Sequence, residues 1–232
     1  MIKPTPSRRA VLRGGVLLGA TWIGTLTACS TPNRASTAPS TTTAAPGSTE
    51  STLASSTATR TLLAYFSRPG ENYCYGGRRD LEVGNTEVLA RMISELIDCD
   101  LYRIDAAEPY PRSYDATVER NVREQNADAR PAIANPLASI APYDTVLLGS
   151  PIWNVRPPMI MTTFTESHDF TGKTVHPFVT HAVSGLGSTE RDYVASCPGA
   201  RIGEGLAVRG EEVQQHRSEV ETWLRAADLP TG

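Results

Sequence analysis

This 232-residue chain lacks most of the short motifs that announce a chemistry. It has no G-x-x-x-x-G-K-[ST] segment, which argues against a P-loop nucleotide hydrolase. It has no G-x-S-x-G elbow either, and "SGLGS" lacks the strand-to-nucleophile order, so a hydrolase is a distant reading. Only four cysteines occur, Cys29, Cys74, Cys99 and Cys197, and no pair has C-x-x-C spacing, which removes the usual zinc and dithiol motifs. No nucleophile triad or metal-ligand set emerges. A formal net charge of -3 gives no sign of a nucleic-acid binder, and a hydrophobic content of 40% excludes a chain disordered throughout. No internal repeat or coiled coil is visible.

Acidic residues are missing from residues 1–28, and this absence is informative. Ser7-Arg8-Arg9-Ala10-Val11-Leu12-Arg13 is a twin-arginine pattern, followed by a modest apolar stretch from Gly14 to Ala28. That stretch falls short of the roughly 20 apolar residues that span a bilayer, which disfavours an uncleaved anchor. It ends in Leu26-Thr27-Ala28-Cys29, which resembles a bacterial lipobox. The resemblance implies lipidation of Cys29, cleavage before it, and attachment to the outer face of the membrane. Without Lys3, Arg8, Arg9 and Arg13 the remainder holds 18 basic against 25 acidic residues, a formal -7.

Residues 30–58 are almost entirely Ser, Thr, Ala, Pro and Gly without apolar periodicity, the composition of a disordered tether. Together with Cys29 this tether occupies 29–58, and a single folded domain is expected over 59–232. Three cysteines lie in that domain, so at least one is a free thiol and at most one disulfide can form among them.

From Arg60 onward, short β-branched runs alternate with helix-period segments, the pattern of an α/β domain whose parallel sheet is covered on both faces. Strands are expected at 60–66, 99–106, 144–149, 174–180 and 201–208. Helices are expected at 86–97, 113–130, 157–168, 188–196 and 211–227. The second strand is the more polar, as suits a sheet edge, and Pro177 argues against a regular fourth strand. A doubly wound sheet binds ligands beyond the carboxyl ends of its strands. This directs attention to residues 67–72 with 84–86, to 150–156 and to 181–188.

The first of these loops runs through Gly84-Asn85-Thr86 into a helix, whose free N–H groups favour a phosphate. Ser67 and Arg68 would add a hydroxyl and a cation. The competing reading is that Asn85 or Thr86 only caps the helix. In the second loop Pro151-Ile152-Trp153-Asn154 sets a large ring where the chain must turn, either as a flat wall for a ligand or as core packing. In the third, Thr180, His181 and Ser184 offer hydrogen bonds, while Gly185 and Gly187 permit close backbone approach.

The chain resembles the flavodoxin family in Tyr65-Phe66-Ser67-Arg68, Gly84-Asn85-Thr86, Tyr143-Asp144-Thr145, Gly149 to Trp153, Pro157-Pro158-Met159, Asp169-Phe170, Gly172 to Val175, Pro177-Phe178, Thr180-His181 and Ser184 to Gly187. The resemblance implies a flavodoxin-like, doubly wound, five-stranded parallel sheet in the order 2-1-3-4-5, with FMN as cofactor. It implies FMN contacts from Ser67, Arg68, Asn85, Thr86, Pro151, Ile152, Trp153, Asn154, Thr180, His181, Ser184, Gly185 and Gly187. Residues 69–83 read as an insertion in the phosphate loop, and Asn154-Val155 departs from the family pattern. The functional expectation is electron transfer at the cell envelope with a small-molecule or protein redox partner, as carrier or as oxidoreductase. The alternative is a flavodoxin-like binding module without flavin. Export by the twin-arginine route, which carries folded proteins, suits a domain loaded with cofactor beforehand.

Overall fold

A computed structural model describes residues 60–229 and residue 231. The export signal, Cys29 and the tether lie outside the described residues.

The central sheet is built from β1 (Thr61–Tyr65), β4 (Asp100–Arg103), β5 (Thr145–Pro151), β6 (Thr174–His181), β7 (Arg201–Ile202) and β8 (Leu206–Arg209). Its order is β4-β1-β5-β6-β7, with β8 also beside β6, and all these pairings are parallel. This is the expected flavodoxin-like α/β arrangement, with the polar strand β4 at one edge. The helices are α1 (Asn85–Ser94), α2 (Tyr114–Asn126), α3 (Met159–Glu166), α4 (Thr189–Ser196) and α5 (Arg217–Ala226).

Side-chain alternation explains the layering. Along β1, Leu63 and Tyr65 join one buried cluster with Leu89 and Ile93 of α1 and Val220 and Leu224 of α5. Leu62, Ala64 and Phe66 join another with Ile160 and Phe164 of α3 and Tyr193 of α4. A strand buried on both faces reads as a continuous apolar run, as Leu62-Leu63-Ala64 does. Neither cluster contains a residue of α2, whose buried residues are the polar Thr117 and Asn121.

Three expectations need correction. The fifth strand is divided into β7 and β8 around Gly203-Glu204-Gly205. Pro177 does not disturb β6, because it lies where its neighbour is interrupted: β7 ends opposite Val175 and β8 begins opposite Phe178. The Val175 carbonyl accepts from Gly203 N at 2.8 Å, and the two-residue alternation points Pro177, which has no N–H, to that same side. The last helix is likewise broken, into a 3-10 segment (Gly210–Gln215) and α5.

Residues 69–83, read from sequence as an insertion, form an antiparallel hairpin of β2 (Gly70–Cys74) and β3 (Gly77–Leu81). Its turn places Tyr75 at φ 48° and Gly76 at φ 84°, as two-residue hairpin connections require. Arg78 clasps Asp115 of α2 with bonds of 2.8 and 2.6 Å and lies over the Tyr114 ring at 4.6 Å. Arg112 reaches Asp80 at 2.7 Å. At the tip, Tyr75 N and Oη donate to Glu211 and Glu212 of the 3-10 segment, each at 3.4 Å. The hairpin thus bridges α2 and the 3-10 segment across the carboxyl ends of the strands.

Cys74, Cys99 and Cys197 are all free thiols. Burial pushes Cys99 up to about 11 and Cys197 up to about 12, so neither is a reactive thiolate at neutral pH.

Candidate functional site

Beneath the hairpin, at the carboxyl ends of β1, β5 and β6, lies a cavity of about 350 Å³. Ser67 and Arg68 follow β1, Asn85 and Thr86 open α1, Pro151, Ile152, Trp153 and Asn154 follow β5, and Thr180, His181 and Ala182 end β6. Asn72 and Tyr73 come from the hairpin, Tyr114, Thr117, Val118, Asn121 and Val122 from α2, and Gly210 and Glu211 from the 3-10 segment.

One end is made of hydrogen-bond donors. The N-cap of α1 is Gly84, with no side-chain capping bond, so neither Asn85 nor Thr86 caps the helix. Instead Ser67 Oγ accepts from Glu87 N at 3.1 Å, which leaves the Ser67 hydroxyl hydrogen available. Among the described residues no acceptor meets the backbone N–H of Asn85 or Thr86. Gly84 is required here, since a Cβ would collide with Ser67 Oγ and the Arg68 carbonyl. Thr86 Oγ1 lies 2.7 Å from Thr180 Oγ1, which fastens the helix tip to the end of β6.

Arg68 departs from expectation. It lines the cavity, but its Nη1 donates to the carbonyls of Pro111 and Arg112 at 2.9 and 3.1 Å and its Nη2 to that of Glu71. Its charge is turned toward the base of the hairpin, and only the buried Nε is without a partner. Burial first, then the neighbouring Arg112, lowers its pKa from the ordinary value of 12.5.

The other end is apolar. Trp153 meets Phe66 edge-on at 5.6 Å and Tyr110 at 5.1 Å, so the indole both packs on the core and walls the cavity. Val118 and Val122 of α2 remain 42% and 40% exposed beside it, because α2 does not serve the core. The chain turns back at once: Trp153 N donates to the Arg156 carbonyl at 2.9 Å, and Asn154 and Val155 both have positive φ, 51° and 60°. His181 carries a buried Nδ1 without a partner. Desolvation first, then Arg209, lowers its pKa from 6.5, which favours the neutral ring.

Thus ten of the thirteen expected residues surround one cavity. Ser184, Gly185 and Gly187 do not line it. Gly187 instead abuts the turn, where a Cβ would collide with the Val155 carbonyl, and that carbonyl accepts from Ser188 N at 2.8 Å. The glycine does permit a close approach, but to backbone rather than to a ligand.

The family model described as flavodoxin matches residues 81–227. The chain belongs to the flavodoxin family. A crystal structure of a chain assigned as a flavoprotein from Bacteroides uniformis is 32% identical with a TM-score of 0.58, over 72% of this chain and 98% of that one. A second, from Bacteroides eggerthii, is 29% identical with a TM-score of 0.60, over 73% and 98%. A flavoprotein from Lactobacillus acidophilus, solved in complex with FMN, shares the fold at 21% identity and a TM-score of 0.51, over 72% and 99%. None of the curated proteins matches the chain.

Within this flavodoxin-family domain, Asn72 and Ala182 lie in the loops expected from sequence without being among the residues expected there, while the lining from Tyr73, α2 and the 3-10 segment lies outside those loops. On α2, Tyr114, Thr117, Val118, Asn121 and Val122 recur at helical spacing, but on an otherwise charged helix the sequence does not say what that stripe faces.

Proposed function

We propose that this protein binds FMN and transfers electrons, as a carrier or as an oxidoreductase acting on quinones or another small acceptor. We further propose that a lipid on Cys29 tethers it to the outer face of the membrane, with no nucleic-acid role. The flavin reading is carried by one juxtaposition: a donor-rich pole at Ser67, Asn85 and Thr86, and an aromatic and apolar pole at Trp153, Val118 and Val122, in one cavity of about 350 Å³. Family membership supports it, as does the FMN complex of the Lactobacillus relative.

The residues present fit the group. The two partnerless N–H groups of α1 and the Ser67 hydroxyl would hold its phosphate. Trp153 would cover the ring, and the Nδ1 of His181 would meet a polar ring atom. Bound FMN would supply the electron-transfer chemistry, leaving the protein to orient it and to exclude water. The hairpin serves that exclusion through Asn72 and Tyr73.

The test is an absorption spectrum of the purified chain with mass spectrometry of the released chromophore. A yellow protein releasing FMN is expected; a colourless protein that ignores added FMN overturns the reading. Steady-state assays with quinones and nicotinamide donors then separate an enzyme, which turns over, from a carrier, which does not.

A binding module without flavin is the second reading. It is favoured by Arg68, the one Arg or Lys among the described lining residues, whose charge is already engaged by carbonyls. The same spectrum decides it.

A further inference from the structure

Three amides run in a chain along the α2 wall of the cavity. Gln125 Nε2 donates to the Trp153 carbonyl at 3.2 Å and to Asn121 Oδ1 at 3.3 Å, while Asn154 Nδ2 donates to Gln125 Oε1 at 2.8 Å. Carboxamide oxygen and nitrogen are alike in shape, so their assignment has to come from the bonding partners. Here a single partner settles every one. The Trp153 carbonyl can only accept, so Gln125 must turn its NH₂ toward it. Its oxygen is then left for Asn154, and its second hydrogen demands an acceptor on Asn121. Asn121 must therefore give its oxygen to Gln125 and keep its NH₂ for another group. Among the described residues none takes it. Asn121 is 3% exposed and lines the cavity.

The geometry points to Asn121 as a ligand-binding residue that donates from Nδ2 to a carbonyl oxygen of a planar ligand, with Gln125 as the positioning residue that turns its amide. This rests on the FMN reading, in which the carbonyl belongs to the flavin ring. Asn121 is held for a physical reason: its helix is anchored by the Arg78–Asp115 ion pair and by Arg120, which donates to the Glu108 and Pro109 carbonyls, and its partner Gln125 is fixed by backbone. A donor held in a half-enclosed site discriminates against a ligand that lacks the matching acceptor, because the donor would then be left unpaired.

The experiment measures binding of FMN, and of two FMN analogues with sulfur in place of either ring carbonyl oxygen, to the apo form of the full-length chain. The variants are Asn121→Asp, which keeps shape and removes the donor, Asn121→Ala, and Gln125→Glu, which cannot donate to the Trp153 carbonyl. Wild type is expected to bind one sulfur analogue about tenfold more weakly than FMN, the scale of one hydrogen bond. Each variant is expected to bind FMN about tenfold more weakly and to lose that discrimination. Gln125→Glu made on top of Asn121→Ala should add less than it costs alone. A purely structural role would weaken FMN and both analogues alike, and so overturns the inference. So does a wild type that binds FMN and the analogues equally, or a variant that keeps the discrimination. Thermal unfolding of each apo variant confirms folding, and if Asn121→Ala does not fold the isosteric Asn121→Asp and Gln125→Glu carry the test. A wild type that does not bind FMN at all defeats the proposed function instead, so the two failures are distinct.

Discussion

Val155, in the turn that follows the cavity residues Trp153 and Asn154, is strained. A β-branched side chain at φ 60° is a steric outlier, and this one is 61% exposed, so burial of its methyl groups does not offset the strain. It is held from outside, by Gln125 on the Trp153 carbonyl and by Ser188 on its own. Val155→Gly is therefore expected to stabilise the fold by about 1 kcal/mol, with the left-handed penalty relieved and glycine's entropy partly offsetting it. The check is a higher urea midpoint at unchanged slope. Trp153 answers differently, since its indole packs against Phe66 and Tyr110 and also faces the cavity. Trp153→Ala should lower stability by about 3 kcal/mol and weaken FMN binding at least about tenfold. Retained FMN affinity in a folded Trp153→Ala protein would remove the aromatic pole from the site.

At the scale of elements, β6 sets a pH dependence. His176 is 5% exposed in that strand, and burial, its largest influence, lowers its pKa from 6.5; His168 and His181 are lowered by the same cause. For a histidine whose folded pKa lies below the unfolded one, the unfolded chain binds more protons on acidification. Stability is then fully present above about pH 6.5 and falls as the pH drops toward the folded pKa, by at most about 1.4 kcal/mol per pH unit per group. His216, raised by its bond to Glu219, acts in the opposite sense, with stability present below the unfolded pKa and lost as the pH rises through the folded one. Its exposure makes that contribution small. Urea unfolding at pH 7.5 and 5.5 is expected to show the lower midpoint at 5.5, and His176→Gln should reduce the difference.

What can be read from the chain alone follows the same division. Leu62-Leu63-Ala64 and Val146-Leu147-Leu148 are buried on both faces, so apolar runs are enough to locate β1 and β5. The hairpin is not legible as strands, because Gly70–Cys74 and Gly77–Leu81 are polar on both faces and show no alternation. They are held by Asp115 and Arg112, some thirty residues further along in sequence. Asn121 and Gln125 escape a sequence reading for a related reason. A polar stripe on a charged helix looks like a solvated face until the tertiary fold shows what it borders.

For the whole molecule, the prediction concerns the segment ahead of Arg60. Cys29→Ala should move the protein from the membrane fraction to the soluble one. Replacing both Arg8 and Arg9 by Lys should retain it in the cytoplasm, with fractionation as the check for each. If both variants partition as wild type does, the lipid anchor is wrong while the domain's chemistry stands. The strands of the sheet are parallel, and β1 begins at Thr61 while the cavity lies past Tyr65. Five residues of strand separate the two by about 17 Å. Under the proposed anchor, a leash joined ahead of Arg60 would therefore attach at the end of β1 away from the cavity. Visitors dissolved in the surrounding water would then reach that doorway without passing the point of attachment.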